Sequence, residues 1–140
     1  MAIIIFLLGL AIGSFLNCVI YRLETGQSFL KGRSFCPHCR HQLGFWDLIP
    51  VLSFFILRGK CRYCQKKINF QYPLVELTTG LIFLVGGDKY TGADLLHFLI
   101  LASFLIVIFV YDLKHYIIPD KIIYLAIAIA LVYDLLKSDL

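Results

Sequence analysis

Residues 2–21 read AIIIFLLGLAIGSFLNCVIY, twenty positions without a charge. As a helix rising 1.5 Å per residue they reach about 30 Å, the thickness of a bilayer's hydrocarbon core. No Lys or Arg precedes the run, and no small-residue cleavage site closes it. An uncleaved first helix is therefore expected rather than a secretory signal. Gly9 and Gly13 fall at small-xxx-small spacing, with Ser14 beside them. That spacing permits close helix packing, although small residues are common in membrane helices generally. Further apolar spans follow at 74–86, 95–111 and 122–136. A turn-rich segment, GGDKYTGAD (86–94), separates the second span from the third.

Composition supports this reading. Of 140 residues, 60% are hydrophobic and 16% are charged, against about 25% charged in an average soluble domain. The mean hydropathy is +0.84. Such a chain is not a disordered segment, and an ordinary cytosolic domain could not bury so much apolar side chain. The length leaves no room for a large enzyme of several soluble domains. The expected fold is an all-α polytopic membrane protein with about four transmembrane helices and one small polar loop. The expected divisions are a first helix at 1–21, a loop at 22–72, and a membrane region at 73–140 with helices near 73–86, 95–111 and 122–136.

Charge sets the expected orientation. Residues 22–72 hold nine of the thirteen Lys and Arg but only two acids, Glu24 and Asp47. The segment carries +7, and the remainder of the chain carries −3. By the positive-inside rule this loop faces the cytoplasm, as does 112–121, which carries Lys114 and Lys121. Both termini then lie outside.

The basic loop also holds four of the five cysteines. Cys36-Pro37-His38-Cys39 and Cys61-Arg62-Tyr63-Cys64 are two C-x-x-C pairs 21 residues apart. A tight C-x-x-C turn aims two thiolates at one ion, and two such turns complete a tetrahedral shell of four sulfurs. Structural zinc on Cys36, Cys39, Cys61 and Cys64 is the expected use. Arg40, Lys60, Arg62 and Lys66 would offset the charge of four thiolates. A pair of redox-active dithiols is the alternative, since C-x-x-C also marks thiol oxidoreductases. Structural disulfides do not suit a reducing compartment. His38 and His41 read as surface or supporting residues, and Cys18 as a small packing residue in the first helix. Between the pairs, Asp47 is the expected N-cap of a short apolar helix with Pro50 in its first turn. That apolar run is too short to span and is expected at the interface or against the membrane helices.

Acids next to apolar spans are functional candidates. Asp112 directly follows the span 95–111. It reads either as a carboxylate for general acid–base work or as a solvated helix-end residue. Asp120 reads as the N-cap of the fourth helix. Glu76 lies two or three residues into the second, able to pair with a loop base or to contact a ligand. His97, Asp94 and Asp134 read as interface residues. Gly86-Gly87-Asp88 has the wrong spacing for a Gly-x-Gly-Asp motif.

Four stretches resemble the type IV prepilin peptidase family, bifunctional leader peptidases and N-methyltransferases of type IV pilus, type II secretion and competence systems. The first is Gly13-Ser14-Phe15-Leu16-Asn17-Cys18-Val19-Ile20-Tyr21-Arg22-Leu23. The second comprises both cysteine pairs with Leu48-Ile49-Pro50-Val51-Leu52-Ser53 and Arg58-Gly59-Lys60. The third is Tyr72-Pro73-Leu74-Val75-Glu76-Leu77 with Gly80, and the last is Asp112-Leu113-Lys114-His115-Tyr116-Ile117-Ile118-Pro119-Asp120.

The resemblance implies an aspartyl protease of the plasma membrane with Asp112 as the first member of its catalytic pair. It would cleave prepilins or pseudopilins after the leader glycine. The implied partners are these substrates and membrane lipid, with no nucleic acid. S-adenosylmethionine would be the cofactor if the new N-terminus is methylated. The family's second aspartate lies in a Gly-x-Gly-Asp motif, and none follows Asp112 here. The expectation is thus an N-terminal half, from a truncated reading frame or a partial sequence, inactive alone. A homodimer could place two copies of Asp112 together. A non-catalytic zinc-loop module that docks pilus or secretion machinery is the alternative.

Overall fold

The computed structural model describes residues 1–27 and 32–138. Lys31 and Asp139, counted in the charge balance, lie outside the described residues. Four long helices form: α1 (Ala2–Thr25), α3 (Gln71–Lys89), α4 (Gly92–His115) and α5 (Asp120–Ser138). Between α1 and α3 the loop adds one 3-10 turn (Phe45–Asp47) and a short helix, α2 (Leu52–Ile56). No strand forms among the described residues, which show only two isolated antiparallel bridges.

Each expected span is a helix, and each runs further than its apolar stretch. Hydropathy falls at the first charged residue, but backbone hydrogen bonding continues. Thus α1 passes Arg22 and stops at Gly26, whose left-handed φ of 68° turns its N–H to the Arg22 carbonyl. The expected polar loop at 86–94 shrinks to Tyr90 and Thr91. Gly86 and Gly87 stay helical because the backbone there closes on Phe98 and Ile5, and Tyr90 stacks on Phe98 at 5.1 Å.

Two expected caps are corrected. The Ile122 and Ile123 N–H groups donate to the Pro119 carbonyl, so Pro119 takes the cap position and Asp120 is the first residue inside α5. There its charge favours the helix dipole. Asp47 caps no α-helix either. It ends the 3-10 turn, and Pro50 and a positive-φ Val51 separate it from α2.

The helices α1 and α4 are long and apolar enough to cross a membrane, with mean hydropathies of 2.6 and 2.5. Only 28% and 11% of their most apolar windows are buried. Core helices of a soluble protein would be covered, and these expose their apolar faces as lipid-facing helices do. Helices α3 and α5, 19 residues each, reach about 28 Å and carry charges that keep them short of the same measure.

The tightest contact is between α1 and α3. A Cβ on Gly9 would lie 2.7 Å from the Gly80 Cα, and one on Gly13 2.7 Å from the Glu76 Cα. The glycines therefore serve backbone approach, the sharper of the two readings of their spacing. Leu16, Ile20 and Val75 continue this seam into Ile106 and Val107 of α4.

Candidate metal centre and its anchorage

Both C-x-x-C segments fold as the same knuckle, offset by 25 residues. In the first, the Cys36 N–H donates to the His41 carbonyl at 3.0 Å, and the Arg40 N–H returns to Cys36 at 2.8 Å. In the second, the Cys61 N–H donates to Lys66 at 2.9 Å, and the Gln65 N–H returns to Cys61 at 3.0 Å. The bridges Phe35–Gln42 and Lys60–Lys67 close the two turns. The residue after each second cysteine is left-handed, Arg40 at φ 55° and Gln65 at φ 58°. This conformation turns the following chain back and aims both thiols of a knuckle to one side.

The four sulfurs converge. They lie within 4.8 Å of one another, and Cys36 Sγ is 3.8 Å from Cys64 Sγ. A tetrahedron with bonds of about 2.3 Å has edges of about 3.8 Å, so the group can hold a metal ion. All four cysteines are free thiols. Neither His38 nor His41 belongs to the cluster; His41 instead packs at a tilt against Tyr63 of the other knuckle, with ring centroids 3.6 Å apart.

Crowding pulls the thiols apart in acidity. Burial pushes Cys36 up, but the Cys39 and His38 N–H groups and the neighbouring thiols outweigh it and bring Cys36 to about 7. At Cys64 the Lys66 N–H favours the thiolate, but burial and the other three sulfurs push it up to about 11. A cation among the sulfurs would relieve that repulsion.

Asp47 braces the second knuckle. Its carboxylate accepts from Arg62 Nε at 2.7 Å, the Gly44 N–H at 3.2 Å and the Tyr63 hydroxyl at 3.4 Å. Burial raises its pKa, but the Arg62 and Gly44 hydrogen bonds hold the carboxyl below its ordinary value.

Two polar contacts fasten the loop to α1 and α3, and a third joins those two helices beneath it. Arg22 donates to the Gly32 carbonyl at 2.8 Å. Buried Asn17 donates to the Tyr72 carbonyl in the first turn of α3 at 2.9 Å and so ties α1 to α3. Buried Glu76 accepts from the Val51 N–H at 2.7 Å. Val51, at φ 62° and ψ −50°, centres a tight turn closed by Leu52 N–H to Pro50 O. This is the strained form of γ-turn and is costly for a β-branched residue. Nothing in the sequence signals it. Glu76 was visible only as an acid in an apolar run. A cavity of about 450 Å³ lies between loop and helices, with Asn17, Tyr21, Cys36, Tyr72 and Glu76 among its walls.

Asp112 lies in the last turn of α4. Two residues on, Lys114 pairs with Glu24 of α1 at 2.7 Å, which brings the C-terminal ends of α4 and α1 together beside the loop. Among the described residues no side chain pairs with the Asp112 carboxylate.

The family model of the bacterial peptidase A24 N-terminal domain matches residues 7–88. The chain belongs to this family. The A24 N-terminal match takes in nearly all of α1, both knuckles and α3, and it ends before Asp112. Among curated relatives, the chain is 44% identical over 119 residues to a prepilin leader peptidase/N-methyltransferase of Myxococcus xanthus (strain DK1622), covering 84% of this chain and 36% of that protein. Proteins of the same name match from Klebsiella pneumoniae, at 41% over 123 residues (83% and 54%), and Bacillus subtilis (strain 168), at 36% over 121 residues (86% and 49%). The chain thus spans between about a third and a half of these relatives' length. No solved structure matches.

Proposed function

We propose that this chain is the N-terminal part of a prepilin leader peptidase/N-methyltransferase. The observation that carries the reading is the 44% identity over 84% of the chain, a stretch long enough to include both knuckles and Asp112. Its divisions are the first helix, α1 (Ala2–Thr25), the four-cysteine loop that follows it, and, from α3 (Gln71–Lys89) onward, the beginning of the membrane peptidase region. The +7 loop and Asp112 face the cytoplasm.

Zinc is the ion for Cys36, Cys39, Cys61 and Cys64, because four soft thiolates at tetrahedral spacing suit it and leave no open position for chemistry. Its role is structural. Asp112 supplies one carboxylate of an aspartyl pair. Two carboxylates held close share one proton, so one can draw a proton from water while the other donates to the departing amine. The bond cut is the one after the leader glycine of a type IV prepilin or pseudopilin. S-adenosylmethionine would supply a methyl group to the new α-amine. No Gly-x-Gly-Asp lies between Asp112 and Leu140.

The test is a chimera in which this chain replaces the matching part of the Myxococcus xanthus relative. It should process prepilin in membranes. Asp112→Asn in the chimera should slow cleavage by roughly 10²–10⁴-fold, with zinc content unchanged. Normal processing by that variant would overturn the assignment. Loss of processing in the unmutated chimera, with zinc bound, would favour the non-catalytic docking module.

A further inference from the structure

The segment between the knuckles exposes large apolar side chains outside the long helices. Phe45, Trp46, Phe55 and Ile56 are each between 67% and 77% exposed, and Leu52 is also exposed. In water such a cluster would be an aggregation liability. Two observations place it level with the uncharged part of α1. A cavity of about 550 Å³, bordered also by Arg22, is walled on one side by Ala11, Phe15 and Cys18 of α1 and on the other by Phe45, Leu48 and Ile49. Those α1 residues lie 4 to 11 positions before Arg22, about 6–16 Å toward the middle of the span. Independently, Val51 is bonded to Glu76, whose Cα faces Gly13.

Much of the backbone of this segment is hydrogen-bonded without water. Within 45–56 the N–H groups of Asp47, Leu48, Leu52, Ser53 and Phe55 donate inside the loop, and that of Val51 donates to Glu76. Irregular backbone at membrane depth requires such internal partners. Beyond the apolar face come Arg58, Lys60, Arg62, Lys66 and Lys67. Aromatic rings at the boundary with bases just outside it match the anchoring pattern of an anionic leaflet.

We propose that residues 45–56 form a re-entrant element that enters the headgroup–acyl boundary of the bilayer beside α1 and sets Phe45, Trp46 and Phe55 against lipid. The occupant of the exposed face is lipid, not a protein. The element enters and leaves on the side of the knuckles, and Glu76 holds its deepest turn.

Trp46 is the only tryptophan in the chain, so its fluorescence reports the site directly. The full chain is reconstituted with zinc into phosphatidylcholine–phosphatidylglycerol vesicles containing brominated phosphatidylcholine. Bromine near the carbonyl end of the acyl chain should remove more than half of the Trp46 emission, and bromine near the methyl end should remove less. Aqueous iodide should have little effect. Two controls in a Trp46→Phe background calibrate depth: Phe15→Trp within α1 and Tyr63→Trp on the knuckle. Iodide quenching of Trp46 at the level of the Tyr63→Trp control, with no bromolipid effect, would overturn the proposal and point to a protein partner. Failure of the Phe15→Trp control to sense bromolipid would overturn it too, by removing α1 from the bilayer.

Discussion

The α1–α3 and α4–α5 pairs are held together in opposite ways. The first closes backbone on backbone at Gly9, Gly13 and Gly80 and buries Asn17, Glu76 and Thr79 within or beside the seam. The second buries no residue of α5. Its polar links are at one end, where Lys137 and Tyr133 reach Asp94 and Tyr133 stacks on His97 at 3.9 Å. Among the described residues, the loop makes its helix contacts mainly with the first pair. A close-packed seam suits a small loop whose cysteines can hold a metal ion, because a loop of this size has little core of its own.

Three measurements would sharpen the contrast. The largest effect is expected at the knuckles that ride on the first pair. Chelating zinc, or Cys61→Ser with Cys64→Ser, should abolish zinc binding and unfold the loop, since structural zinc contributes on the order of 10 kcal/mol. Circular dichroism should keep the helices while proteolysis cuts the loop. Loss of all helicity would show that the seam depends on the loop. Next, Gly13→Leu should cost about 3 kcal/mol or more, because the facing backbone cannot yield. Ala128→Leu on exposed α5 should stay within about 0.5 kcal/mol. Equal shifts in unfolding in detergent would erase the distinction between the pairs. Smaller still, Glu76→Ala should cost about 1–3 kcal/mol by orphaning the Val51 N–H, and Glu76→Gln should recover part of it. Asp94→Asn, which loosens only exposed contacts, should leave unfolding unchanged.

The sequence disclosed what depends on composition and spacing. Charge-free runs located α1 and α4, and two C-x-x-C pairs located the sulfur cluster, because both signals are local in the chain. It did not disclose what depends on backbone torsion or on distant partners. Left-handed Arg40 and Gln65 carry no glycine to announce them, so the knuckle repeat was legible in its cysteines but not in its hydrogen bonds. Val51 is a residue type that avoids positive φ, and only its tie to Glu76, 25 positions away, accounts for it. Asp47 had the chemistry of a helix cap, but the charge of Arg62 and the Pro50–Val51 break redirected it to the second knuckle. The 86–94 segment had the composition of a turn, and packing of its glycines on Ile5 and Phe98 kept it helical.

Metal held by both knuckles turns the 21 residues between Cys39 and Cys61 from a linker into a ring with a single clasp. Confining a ring of that length costs about 3 kcal/mol and grows only with the logarithm of its size. Extra residues should thus cost little in closure alone, but at the far side of the ring they would also break the Val51–Glu76 tie, and any change at the clasp opens the whole circuit. In polymer terms, length is the tolerant variable of this loop and closure is the strict one.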